Sequence, residues 1–232
     1  MQKTVAYLQL VRLPNLFTAL SNVWAGMFIV NSSSIILTQF IQVSAISATL
    51  YGAGIVLNDY FDKESDRRHR PNRPLASGTI SPKAGLSFAI TLIVVAIAIA
   101  YLTSPIAIII SASIALVALL YDGLLKKWFI PAVIAMGLCR GLNWLLGIAG
   151  NITNPMILLI PAGVTIYIAL ITAISRKEQQ YPALRKAVKA GISVIPLIDG
   201  AIVWAFGYPT QAGIVALLFL PTIIMGRLFE MT

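Results

Sequence analysis

Long apolar runs alternate with short polar connections along the whole chain. The runs fall at about residues 15–35, 38–57, 84–102, 105–121, 129–149, 155–174, 187–206 and 211–229. Each is roughly 15 to 23 residues long, close to what a helix needs to cross a hydrocarbon core about 30 Å thick. Backbone polar groups in lipid must be satisfied within their own segment, so such runs are expected to be helical. The pattern predicts an all-α fold, a polytopic transmembrane helical bundle of about eight spans. No linker, low-complexity stretch or soluble segment interrupts it, so residues 1–232 read as a single membrane domain.

Composition strengthens that reading. Hydrophobic residues make up 58% of the 232 and charged residues 11%, against roughly 25% charged in a soluble domain. The net charge of +9 raises the question of nucleic acid, and the placement of the charges answers it. Thirteen of the seventeen Lys and Arg residues lie in 58–83, 122–128 and 175–189, each following an even-numbered run. The other connections, NSSS near 31, LTSP near 102, NITNP near 151 and GYPTQ near 207, carry none. By the positive-inside rule the charged loops and both termini are expected to face the cytoplasm. A soluble basic face, which nucleic acid would require, is absent. Cys139, inside the fifth run, has no second cysteine with which to pair. The first run reads as an uncleaved helix rather than a signal peptide. The sequons at Asn31 and Asn151 read as chance occurrences.

The candidate chemistry concentrates in NDYFDKESDRRHRPNRPLASG, residues 58–78. On a helix Asp59, Asp62 and Asp66 fall within a stripe about 60° wide. Carboxylates on one stripe suit a hard cation such as Mg²⁺, which completes its shell with water and phosphate; the alternative is a solvated helix end paired with Lys63, Arg67, Arg68 and Arg70. Arg73 supplies either inside-positive charge or an anion contact. Lys126 and Lys127 in YDGLLKK anchor a helix end or neutralise an anion, and Tyr121 offers a hydroxyl or a ring face. Arg140 and Asp199 lie deep within runs, where a charge is costly unless paired or wet. They either pair with each other or line a cavity in which Asp199 meets an acceptor hydroxyl. Asn22 and Asn143 either join that polar interior or bond between helices. The two longest charged loops, opening NDYFDKESD and SRKEQQ, would face each other across a cavity in a ring of helices.

These residues resemble the UbiA superfamily of intramembrane prenyltransferases. Asn58, Asp59, Asp62 and Asp66 are similar to its first aspartate-rich motif, and Arg73, Pro74, Ser77 and Gly78 to the N-R-P-x-x-S-G that follows. Tyr121, Lys126 and Lys127 resemble its segment after the fourth span, and Arg12, Pro14 and Asn15 the start of its first helix. The resemblance implies a ring of helices around a central cavity and Mg²⁺ held on two aspartate motifs. It also implies prenyl transfer from a polyprenyl diphosphate to a hydrophobic or aromatic acceptor within the bilayer. On that basis Asp59, Asp62 and Asp66 would be the metal and catalytic residues, with Asp199 serving the acceptor. Asn22, Asn58, Arg73, Tyr121, Lys126, Lys127 and Arg140 would bind substrate.

The chain departs from the family in two places. Where the second aspartate motif belongs it has Ser175, Arg176, Lys177, Glu178, Gln179 and Gln180. Only Glu178 is acidic, and Arg176 and Lys177 could meet phosphate oxygens instead. It also shows eight spans where family members typically have nine. The altered loop resembles divergent members of the EboC type. The alternative function is that of a catalytically altered UbiA-like protein that binds or moves a lipid or metabolite. The D-G-x-x-A-R pattern of the membrane CDP-alcohol phosphotransferases is absent.

Overall fold

A computed structural model of the chain describes residues 2–31, 36–149, 152, 154–178 and 181–228. The Asn151 sequon and Gln179 and Gln180 lie outside the described residues. Among the described residues eleven α-helices and no strand occur. They are α1 Gln2–Leu10, α2 Leu13–Val30, α3 Leu37–His69, α4 Pro82–Thr103, α5 Pro105–Gly123 and α6 Phe129–Gly147. Then follow α7 Leu159–Ser175, α8 Pro182–Ser193, α9 Ile195–Ala205, α10 Pro209–Leu217 and α11 Phe219–Leu228. Eight stretches are long and apolar enough to cross a membrane, matching the eight apolar runs. The chain is an integral, multi-pass membrane protein.

Helix and membrane do not end at the same residues. α3 has 33 residues and runs through Asn58 to His69. At 1.5 Å per residue it is about 50 Å long, well beyond the ~30 Å apolar core. The aspartates therefore ride on the last turns of a spanning helix rather than in a loop. Its last turn carries Arg67, Arg68 and His69, which suit the negative end of the helix dipole. The seventh span is broken at Val194 between α8 and α9, and the eighth at Leu218 between α10 and α11. Pro196 and Pro221 lie just past these breaks. A proline lacks the amide and collides with the carbonyl four residues back, so continuous helix stops there.

α2 is the central helix, packed against α3, α6, α9, α10 and α11. It approaches α6 closely because both present glycine: a Cβ on Gly147 would lie 2.5 Å from the Val23 carbonyl oxygen. Val23, Ile46, Leu50, Ala96, Ile110 and Leu146 form one core shared by α2, α3, α4, α5 and α6. Leu10, Leu57, Leu75, Ile80 and Ala89 form another, which pins the 70–81 loop between α1, α3 and α4. Gly78 turns that loop at φ 78°, a left-handed value that side chains disfavour.

Candidate active site

Helices α2, α3, α5, α6, α7 and α8 surround a cavity of about 380 Å³. Leu50, Gly54, Asn58 and Asp62, each four residues from the next, form one row of α3 along its wall. Ile114 and Ala118 of α5, Ile168 and Ile171 of α7 and Val188 of α8 close the apolar part. Arg12, Asn15, Arg70, Tyr121, Ser175 and Glu178 complete the polar part. The two charged loops thus meet across a shared cavity, as their positions after even-numbered spans suggested.

The aspartate stripe does not converge on one point. Asp59 and Asp66, seven residues apart, face the 70–81 loop, where the buried Arg73 Nη1 donates to both at 3.0 and 2.8 Å. Arg12 Nη2 donates to the same oxygen of Asp59 at 2.9 Å. Asp62 turns the other way and accepts from Lys126 Nζ at 2.7 Å. Among the described residues no three His, Cys, Asp or Glu side chains come together as a metal-binding group. The spacing argument located the face of the helix but missed the cations that divide it: Arg73 draws one pair of carboxylates aside and Lys126 the third.

Several expected substrate contacts are placed elsewhere. Arg73 is 6% exposed and does not line the cavity; it holds Asp59 and Asp66 in position. Lys126 reaches Asp62 without itself lining the cavity, while Lys127, next in the same short 3₁₀ turn, is exposed. Arg176 Nη2 donates to the Lys126 carbonyl at 3.0 Å and its guanidinium lies over the Phe129 ring, so it packs outside the cavity. Lys177 is exposed. Of the SRKE stretch, Ser175 and Glu178 face inward. Burial raises the Glu178 carboxyl above its usual pKa, opposed by Arg70 and Arg185, and its Oε1 is buried with no hydrogen-bond partner.

The intramembrane polar residues form one network. Arg140 lines the cavity floor beneath the Tyr51 ring, 5.0 Å away, and donates to Asn22 at 3.2 Å and Thr18 at 3.0 Å. Asn22 in turn donates to Asp199 at 2.7 Å, and Ser21 Oγ does so at 2.6 Å. Arg140 and Asp199 are therefore linked through Asn22 rather than directly. Asp199 is 1% exposed and does not line the cavity that holds Asp62; with Asn22 it borders a second cavity of about 310 Å³. Asn143 lines the cavity, accepts from Ser47 at 2.7 Å and donates to the Ala19 carbonyl at 2.9 Å.

Three contributors were assigned no site role from the sequence. Asp122 is buried, accepts from Asn58 Nδ2 at 2.8 Å and lies 3.6 Å from Lys126. Its position one helical turn before Lys126 was the available signal. Arg12 adopts left-handed angles, φ 47° and ψ 61°, between α1 and α2, which nothing in its residue type announces. Arg70 was counted only among the stripe's surface partners, yet it lines the cavity.

The spanning helices thus enclose a cavity lined by ionic and apolar side chains together. Residues 19–230 match the UbiA prenyltransferase family. A digeranylgeranylglyceryl phosphate synthase of Methanospirillum hungatei is 31% identical over 84% of this chain and 69% of its own length. One of Methanococcoides burtonii is 34% identical over 61% of this chain and 53% of its own. The chain thus spans about half to two thirds of these relatives. The structure of a UbiA homologue from Archaeoglobus fulgidus, bound to DMAPP and Mg²⁺, shares the fold with a TM-score of 0.67 at 16% identity, over 97% of this chain and 88% of that one. The chain belongs to the UbiA prenyltransferase family.

Proposed function

We propose that this chain transfers a prenyl group from a polyprenyl diphosphate to an acceptor held in the same cavity. The observation that carries the proposal is the α3 row, in which one helix face passes from Leu50 and Gly54 to Asn58 and Asp62. An apolar chain fits beside the first pair and an anionic head beside the second. In the transfer the bond from prenyl C1 to the diphosphate oxygen breaks, with its electron pair leaving on the diphosphate. The acceptor forms the new bond to C1 and loses its proton. Lys126, Arg12 and Arg70 place positive charge where that leaving group collects negative charge, the arrangement that lowers such a barrier most. The apolar walls keep water from the allylic carbon.

The donor set fits one Mg²⁺. Asn58 gives its Nδ2 to Asp122, leaving Oδ1 for the cavity, and Asp62 is one turn further along the same face. Mg²⁺ commonly takes one or two carboxylates and completes its shell with water and phosphate. When bound, it would neutralise diphosphate charge. Asp59 and Asp66 hold the arginines instead. The inside-positive loops support a cytoplasmic placement of this mouth. Arg140 at the floor suits an acceptor with an anionic or carbonyl oxygen, and the names of the relatives make a glyceryl phosphate ether the first one to try.

The test is turnover by the purified chain in nanodiscs with Mg²⁺, geranylgeranyl diphosphate and either geranylgeranylglyceryl phosphate or 4-hydroxybenzoate, read by pyrophosphate release and product mass. Acceptor-dependent release supports the proposal. Tight binding with no release across prenyl lengths and acceptors would sink it in favour of a lipid-binding role.

A further inference from the structure

The end of α7 and the loop after it contribute Ser175 and Glu178 to the cavity, and of the two only Glu178 is acidic. Opposite lies Arg70, the residue that caps α3. Its backbone amide is tied to the Asp66 carbonyl at 2.7 Å, which fixes where the side chain starts. The side chain lines the cavity and is half-buried. Every ion pair in this region among the described residues belongs to another cation: Arg12 to Asp59, Arg73 to Asp59 and Asp66, Lys126 to Asp62 and Asp122. Among the described residues Arg70 has no carboxylate within 4 Å, although Asp66 and Glu178 are near enough to act on it through space. Arg12 and Arg73 act on it as well, with the same sign as its own charge. A guanidinium held among two others and facing a cavity is an anion site without its anion, and its planar fork matches two phosphate oxygens at once.

Resting on the prenyl diphosphate reading above, we infer that Arg70, with Arg12 beside it, holds the diphosphate directly and takes the place of a second metal ion. The chain then uses one divalent cation, at Asn58 and Asp62. Glu178 alone, opposite Arg70, offers too few ligands for another. Its carboxylate bounds the site on the α7 side and repels a second anion. It follows that the diphosphate head is gripped even when divalent cations are removed, because a guanidinium cannot be chelated away.

The experiment is isothermal titration of the full chain in nanodiscs with geranylgeranyl S-thiolodiphosphate, which does not ionise readily, in Mg²⁺ and in EDTA. Mn²⁺ binding to the thiolodiphosphate complex is counted by electron paramagnetic resonance. The expected result is measurable binding in EDTA and one Mn²⁺ per chain. Arg70→Met weakens EDTA binding by about tenfold or more, the fold-change for one hydrogen bond to a charged group. Arg70→Lys, which keeps the charge but not the fork and leaves folding least in question, falls between Arg70→Met and wild type. Binding only in Mg²⁺, two Mn²⁺ per chain, or equal EDTA affinity in wild type and both variants each overturn the inference. The first two leave the prenyl diphosphate reading intact. No binding in either buffer overturns both.

Discussion

Replacing Arg73 by Met tests whether this arginine is a brace or a substrate contact. Its Nη1 serves two carboxylates, Asp59 at 3.0 Å and Asp66 at 2.8 Å, and all three side chains are nine-tenths or more buried. Removing one partner of a buried pair costs about 3–5 kcal/mol, because a charge is left without compensation. Asp59 keeps Arg12 at 2.9 Å, so the loss falls mainly on Asp66 and lies near the lower end, about 3 kcal/mol. A chain of this length loses about 2–4 °C of Tm per kcal/mol, which gives a fall of roughly 6–12 °C. The assay is thermal unfolding in one detergent, followed by intrinsic fluorescence, for Arg73→Met, Asp66→Asn and the double variant. Asp66→Asn removes the stranded charge, so the double variant recovers at least about 1 kcal/mol relative to additivity. Thiolodiphosphate affinity of the folded Arg73→Met protein stays at the wild-type value, since Arg73 does not line the cavity. A Tm unchanged within about 2 °C together with lost affinity would refute the reasoning and return Arg73 to the substrate.

Asp62→Asn is expected to lower turnover by about 100-fold or more while Tm changes little, because its side chain is one-third exposed and Lys126 keeps Asp122 as a partner; parallel rate and melting measurements check both halves. Gly147→Ala pushes a Cβ into the Val23 carbonyl and is expected to cost about 1–3 kcal/mol, read as a lowered melting temperature. Glu178 has a raised folded-state pKa, so its contribution to stability is present in acid and is lost as pH rises through that pKa. The melting temperature of Glu178→Gln should therefore approach or exceed wild type on the alkaline side and fall behind it in acid; a constant difference across pH would contradict the burial argument.

The spans were legible because a bilayer imposes a length and a composition on any helix that crosses it. The end of α3 was not, since hydropathy reports where lipid stops and Asn58 to His69 continue the helix beyond that point. The interruption at Val194 was recoverable from Pro196, although hydropathy alone counted one uninterrupted span. At the site, periodicity put three aspartates on one side of a helix, and the division among them depended on Arg73 arriving from a folded loop and Lys126 from another helix end. Likewise five basic residues were candidates for phosphate: Arg73, Lys126 and Lys127, and then Arg176 and Lys177. Arg73 went to Asp59 and Asp66, Lys126 reached Asp62, and Lys127, Arg176 and Lys177 turned away, while Arg70 joined from the α3 cap. Which side of a turn a side chain leaves from is a three-dimensional property that adjacent residues in a sequence share almost equally.

Leu50, Gly54, Asn58 and Asp62 stand on one continuous helix, twelve residues from first to last and so about 18 Å apart along its axis. Head and tail of a bound amphiphile are thus indexed to the same rigid rod. Variation in bilayer thickness can slide the rod relative to the lipid, but it cannot change the offset between the ionic seat and the apolar wall. A one-residue insertion between Gly54 and Asn58 would rotate the two halves of that gauge by about 100° relative to each other. Unlike a shift in a loop, it could not be absorbed by local slack.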